Sequence, residues 1–270
     1  MISTLKTVLA GAVCIAALAL PPLPASADAL EEIKDRGTLR VAGLVYRPFI
    51  FRTPGGDYGG AELDILTGLS QSLGVELEFV DAEWSTAVAG LGTGKWDLVP
   101  ALCNTEERRE AIDFSDDYLT VGPVLAVMSG QGKISSVEDA NDSAVLIAVN
   151  SGGFSEKVAL EAFPDAELKT FAAGGQDQAI LEVLTGRADA TVVDTPVAVS
   201  VLQAAHGDKL TFLPAPDQAM DVRVCSAAYG MAKGESALQD AVNAYLATIA
   251  EDGTLQSIKD KYLTAEFVNQ

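Results

Sequence analysis

Along this chain the hydrophobic positions switch repeatedly between two spacings. Residues 40–46 form an apolar run of strand length, and Leu66, Leu69 and Leu73 recur at helical spacing before Gly74, which predicts a helix over 61–73. Val75, Leu77 and Phe79 then alternate with Glu76 and Glu78, the period of a half-exposed strand. A short helix over 85–91 and an apolar strand over 96–102 complete a βαβαβ order, which favours a parallel sheet covered by helices. The middle of the chain repeats the alternation: strands over 144–149, 168–171 and 190–193, with helices over 155–163 and 178–185 between them. Near the end, Leu238, Val242, Tyr245 and Ile249 mark one face of a helix stopped by Gly253, and a short helix follows over 254–262.

Two α/β units are therefore expected. In each, a helix runs into a similar tetrapeptide, Gly94-Lys95-Trp96-Asp97 and Gly186-Arg187-Ala188-Asp189, followed by an apolar strand. Ordinary helix-to-strand turns account for both, and the likeness also hints at two lobes of related build. The segments 119–123 and 221–225 lack the composition of a loose tether and read as strand-like crossovers.

The first residues bear on compartment. Lys6, an apolar run over 7–20, two prolines and Ala25-Ser26-Ala27 have the form of a secretory signal peptide cleaved after Ala27. The run is too short for a membrane span, and no later stretch approaches one without charges. Gly11-Ala12-Val13 before Cys14 is a poor lipidation signal. An exported, periplasmic protein that is not membrane-embedded is expected. Cleavage leaves 17 Lys and Arg against 38 Asp and Glu, a formal charge of −21 over 243 residues. That surface is a poor partner for nucleic acid. The length suits two lobes, and two lobes imply a cleft. With one histidine, His206, and two cysteines left, Cys103 and Cys225, no metal or cofactor is expected. A cysteine pair in an oxidising compartment is more often a disulfide than a metal site.

In open α/β sheets ligands sit beyond the carboxyl ends of parallel strands. Arg108 follows one such end within Asn104-Thr105-Glu106-Glu107-Arg108, where a guanidinium fork suits a carboxylate. Gly152 and Gly153 follow another, in a loop whose N–H groups suit an anion. Asp194 follows a third and suits an ammonium. Each has a plainer reading: a solvated surface arginine, a simple turn, and an aspartate capping the helix that begins at Pro196. Gly90-Leu91-Gly92-Thr93-Gly94-Lys95 has the look of a phosphate loop, yet it precedes a strand, and Trp96 stands where serine or threonine is needed. His206, just before Gly207, reads as a helix-end residue.

Leu39-Arg40-Val41, Tyr46-Arg47-Pro48-Phe49, Thr105 to Arg108 followed by Ile112-Asp113-Phe114-Ser115-Asp116-Asp117-Tyr118, Gly186 to Asp189 leading to Asp194, Ala241-Val242-Asn243, Gly253-Thr254 and Lys261-Tyr262 are the motifs of a known family. The chain resembles the extracellular solute-binding proteins of polar amino-acid ABC transporters. The resemblance implies a two-lobed, type II periplasmic binding protein fold: a first lobe over 28–122, a second over 123–224, and a return to the first over 225–270. It implies a monomer that takes a small zwitterionic ligand, an L-amino acid, to a membrane permease. It implies Arg108 on the ligand carboxylate, Asp194 on its ammonium, and aromatic walls from Tyr46, Phe49 and Trp84. Ala101 and Cys103 would edge the site on the first lobe, with Gly152, Gly153 and Phe154 on the second. It also implies an antiparallel strand over 227–232 beside the one ending at Leu102, and hence a Cys103–Cys225 disulfide.

The chain departs from the family pattern at Gly43-Leu44-Val45, at Pro100 to Cys103, and at Gly153-Phe154. Fewer polar groups face the ligand, which favours a side chain less charged or more apolar than lysine or arginine. The Asn150-Ser151-Gly152-Gly153 loop is also similar to one in periplasmic cyclohexadienyl dehydratases, for which Glu83 or Asp81 would be the general acid. A ligand module serving a chemoreceptor is a third reading.

Overall fold

The computed structural model describes residues 28–172, 175–215, 218–222 and 224–263; the signal peptide expected over 1–27 lies outside these residues. The first part of the chain forms α1 (Ala29–Arg36), β1 (Thr38–Gly43), β2 (Phe51–Arg52), β3 (Tyr58–Gly59), α2 (Ala61–Leu73), β4 (Glu76–Asp81), α3 (Ala87–Gly92), β5 (Val99–Cys103), α4 (Glu106–Ala111), β6 (Asp113–Phe114) and β7 (Leu119–Val121). The middle part forms β8 (Pro123–Met128), β9 (Leu146–Asn150), α5 (Phe154–Ala162), β10 (Glu167–Phe171), α6 (Gly175–Leu184), β11 (Ala190–Asp194), α7 (Thr195–Val197), α8 (Ala204–His206) and β12 (Leu210–Leu213), with a π-helical stretch, Ala198–Gln203, between α7 and α8. The chain then adds β13 (Cys225–Met231), α9 (Ser236–Glu251) and α10 (Thr254–Tyr262).

Strands sort into sheets by chain segment. β1 pairs parallel with β4, and a parallel bridge between Val41 and Leu98 attaches the approach to β5. β13 returns from the far end of the sequence to lie antiparallel between β5 and the short strands β6 and β7. The middle segment makes a separate five-stranded sheet in the order β10-β9-β11-β8-β12, in which β8 alone runs opposite to the other four strands. The fold is thus two-lobed and α/β.

The second sheet is buried on both faces, and its strands divide their side chains by alternation. Leu125, Val127, Ile147, Val149 and Val192 pack into one core, and Val124, Ala126, Ala148 and Val193 into the other. That is why β8, β9 and β11 read as unbroken apolar runs and not as alternating ones.

The paired tetrapeptides hold equivalent places. Gly94 and Gly186 adopt φ of 66° and 69°, the left-handed conformation that closes a helix end without a Cβ penalty. Asp97 exchanges backbone and side-chain hydrogen bonds with Arg40 at 2.8 Å each, and Asp189 does the same with Leu146 at 2.8 Å. Asp97 therefore ties the approach to β5 to β1, and Asp189 ties β11 to β9.

Two readings of the sequence are corrected here. The strand expected over 96–102 begins only at Val99, because Trp96 turns under α3 and its Nε1 donates to the Ala87 carbonyl at 2.9 Å. Gly90 makes room for that ring, since a Cβ there would lie 1.9 Å from Trp96 Cζ2; the glycine-rich run is shaped by packing. On α9 it is Leu246, and not Tyr245, that completes the buried stripe of Leu238, Val242 and Ile249.

Candidate functional site

The carboxyl ends of β5, β9 and β11 converge on a cavity between the lobes. The space between its lining atoms, open mouth included, is about 520 Å³. On the first lobe, a tight turn places Tyr46 and Phe49 face to face, with ring centroids 5.5 Å apart and planes 16° apart. Trp84 meets Tyr46 edge-on at 5.8 Å. Ala101, Cys103, Leu119, Val121, Cys225 and Ala227 extend the apolar wall.

Arg108 is the basic residue and Asp194 the acidic residue among those lining the cavity. Thr105 caps α4 and accepts from the Arg108 N–H at 3.3 Å, which starts the helix so that the Arg108 side chain turns back toward the strand end. Its guanidinium donates to the Cys103 carbonyl at 2.9 Å and, across the cleft, to the Gly152 carbonyl at 3.3 Å. Burial lowers its pKa, opposed by the charge of Glu107. Asp194 ends β11, is 2% exposed, and caps α7 through the Val197 N–H at 2.9 Å. The helix-cap reading of this residue therefore holds through Oδ1, while Oδ2 accepts from Tyr46 Oη. Burial raises its pKa to about 6, against the pull of hydrogen bonds from Tyr46 and Val197.

Among the described residues, three polar contacts join the lobes around the cavity. Tyr46 Oη donates to Asp194, Arg108 reaches Gly152, and Lys157 pairs with Glu107 at 2.5 Å. Gly152 has φ of 73°, and a Cβ on it would lie 2.9 Å from the Cα of Ser85 on the opposite lobe.

Of the residues singled out in the sequence, Tyr46, Phe49, Trp84, Ala101, Cys103, Arg108, Phe154 and Asp194 line the cavity. Gly152 and Gly153 do not. Gly152 closes the loop against the first lobe, and Gly153 precedes α5 beside the Asn150 side chain. Cys103 and Cys225 are bonded, with Cα atoms 5.1 Å apart. Sequence reasoning missed Asn150, Ser155 and Gln176, all buried and all in the lining. Asn150 was within reach of the strand-end rule; Gln176 carried no comparable signal.

Ala101 has φ of 50° within a bulge where Pro100 and Ala101 stand opposite Tyr229. Its N–H donates to Tyr118 Oη at 3.1 Å. Tyr118 and Tyr229 both donate to the fully buried carboxyl of Glu62, the Tyr229 bond being 2.5 Å. Burial raises the Glu62 pKa to about 7, against those two hydrogen bonds.

Two acids considered as proton donors lie elsewhere. Asp81 has 83% of its side chain exposed and is held by Arg52 and by Tyr58 at 2.6 Å, which keep its carboxyl below the ordinary range. Glu83 is exposed and lines hollows outside this cavity. Among the described residues no cluster of three or more His, Cys, Asp or Glu is placed to hold a metal, and no helix is long and apolar enough to cross a membrane.

The sequence profile of the bacterial extracellular solute-binding proteins, family 3, matches residues 28–265. The chain belongs to this family. The chain is similar to the L-cystine-binding protein TcyJ of Escherichia coli K12, 28% identical over 267 residues, 97% of this chain and 96% of the relative. The cyclohexadienyl dehydratase of Pseudomonas aeruginosa PAO1 is 33% identical over 150 residues, 54% of this chain and 56% of that enzyme. Among solved structures, the ancestral amino acid-binding protein AncCDT-1, a precursor of cyclohexadienyl dehydratase, superposes with a TM-score of 0.77 at 36% identity. That match covers 88% of this chain and all of the other.

Proposed function

We propose that this protein is the substrate-binding component of an ABC uptake system, closing over one L-amino acid and delivering it to a membrane permease. The observation that carries the reading is the opposition of Arg108 and Asp194 across a single small cavity whose walls come from both lobes. Arg108 takes the α-carboxylate, displacing its contact with the Gly152 carbonyl, and Asp194 takes the α-ammonium. Tyr46, Phe49, Trp84 and Phe154 enclose the side chain, and Ala101, Cys103 and the Gly152-Gly153 loop supply the rim. A group that binds both lobes favours the closed arrangement by its differential affinity.

The lobes divide at 122/123 and 224/225, where the chain leaves one sheet for the other, and these two passages form the hinge. The protein acts in the periplasm as a monomer after cleavage at Ala27, and the Cys103–Cys225 bond forms there.

The dehydratase relative raises a second reading. Against it stands the exposure of Asp81 and Glu83, neither of which has the apolar enclosure that keeps a carboxyl protonated for general-acid work. Asp194, the buried acid of the cavity, is the one suited to an ammonium.

Thermal unfolding of refolded, ligand-free protein against the common L-amino acids and prephenate tests the choice. A ligand at about a hundred times its Kd adds roughly 2.7 kcal/mol, a rise of about 5 to 10 °C at this size. That shift is expected with one or a few amino acids and is lost in Arg108→Ala and Asp194→Ala. No shift with any amino acid, together with turnover of prephenate, would replace the transport reading with the enzymatic one.

A further inference from the structure

Asn150 is the last residue of β9 and is 4% exposed. Its backbone N–H is taken by Ser155 Oγ at 3.1 Å, and its side chain is wedged between two glycines. A Cβ on Gly153 would lie 2.7 Å from Nδ2, and one on Gly175 would lie 3.3 Å from Oδ1. The carboxamide thus has little freedom to swing away from the cavity it lines. Its Oδ1 is buried and has no hydrogen-bond partner among the described residues. A buried acceptor left in that state is costly unless something arriving satisfies it.

The neighbouring groups narrow what can arrive. Gln176 commits its Nε2 to the Val192 carbonyl at 3.2 Å and Thr191 Oγ1 at 3.4 Å, which leaves it Oε1, an acceptor. Asn150 Nδ2 and the Ser155 hydroxyl are donors on the same wall, so the unmet demand of this lobe is a donor for Asn150 Oδ1. The ligand ammonium satisfies Asp194, and a further donor remains to be supplied for Asn150. On the other lobe, Trp84 Nε1 is a buried donor without a partner among the described residues, and it calls for an acceptor.

We propose that Asn150 reads the ligand side chain, and that the preferred ligand is an L-amino acid whose side chain is uncharged and carries a hydrogen-bond donor. A carboxamide is the fullest match, because its NH₂ suits Asn150 and its oxygen suits Trp84. An apolar side chain and an ionised carboxylate both leave Oδ1 without a donor, and a second cation finds no second acid among the lining residues. The inference rests on the amino-acid reading of the site and adds the class of side chain.

Isothermal titration calorimetry on refolded, ligand-free protein tests it, using L-glutamine and L-asparagine against L-methionine, L-leucine, L-glutamate and L-lysine. The better carboxamide is expected to bind at least about tenfold more tightly than each of the other four, the scale of one satisfied buried acceptor. Asn150→Leu should abolish that advantage over methionine and leucine while it still binds them. Asn150→Asp, which keeps the shape and adds charge, should move the preference at least about tenfold toward lysine; if Asn150→Leu fails to fold by circular dichroism, this variant decides. Wild-type protein that binds methionine, leucine or lysine as tightly as the amides, or variants that keep the wild-type ranking, would overturn this proposal alone. No binding of any amino acid would overturn the amino-acid reading and this proposal with it.

Discussion

The hydroxyl of Tyr46 donates to the carboxylate of Asp194, joining a residue of the first lobe to one of the second. That bond holds the Asp194 pKa down, while burial holds it up at about 6. An ammonium binds the ionised carboxylate, so below about pH 6 it must first displace a proton, and Kd should rise toward tenfold per pH unit. Tyr46→Phe removes one of the bonds that favour the ionised form, which moves the onset of this loss to higher pH. Calorimetric Kd values between pH 4.5 and 8 measure both effects, and a flat profile would remove Asp194 from contact with the ligand.

Gly152 faces the first lobe with room for no side chain against the backbone of Ser85. Gly152→Ala should hold the lobes apart and strain a residue whose φ is 73°, a backbone cost of about 1 to 2 kcal/mol. Ligand affinity is expected to fall by at least about tenfold. Small-angle scattering with saturating ligand should show a larger radius of gyration than the wild type, and equal radii would contradict the steric argument.

Glu62 is a buried carboxyl whose pKa is raised from 4.5 to about 7. The folded state holds this proton more tightly than the unfolded chain. Its contribution is therefore fully present below about pH 4.5 and lost as pH rises through about 7. The full difference is about 3 kcal/mol. Denaturant unfolding of Glu62→Gln and wild type from pH 4 to 8 should show the variant gaining on the wild type by an amount of that order. Parallel curves would mean that Glu62 keeps one protonation state throughout.

The Cys103–Cys225 bond closes a loop of 122 residues and pins β13 to the cavity edge of β5. Replacing both cysteines with serine should lower unfolding free energy by about 2 to 4 kcal/mol. Mass spectrometry of protein recovered from the periplasm should find no free thiol. Two free thiols there would show that the bond does not form.

Local pattern carried much of this fold into view. The helix over 61–73 and the one over 254–262 match α2 and α10 residue for residue, because an apolar stripe, a stop glycine and a following turn are properties of neighbouring residues. Strand limits were less legible. Trp96 belongs by composition to the strand after it, and only the space above Gly90 draws it under α3.

The candidate site divides along the same line. Arg108 and Asp194 could be found from the sequence because their place at strand ends follows from the order of strands and helices, and their charges suggest what they bind. Asn150 and Gln176 could not be ranked in that way. An asparagine at a strand end is unremarkable until one knows that two glycines wedge its carboxamide and that nothing nearby donates to it. Nor does the spelling of residues 62, 118 and 229 suggest that two tyrosines and a glutamate meet under Ala101.

By itself, then, the sequence determined the order of elements, the two-lobed α/β fold and the opposed charges of the cleft, since each depends on spacing along the chain. Only the tertiary structure decided which polar atoms of the cleft are already satisfied and which are free. Partnering of a buried group depends on atoms brought within about 3 Å from distant parts of the chain, and no local pattern records that distance.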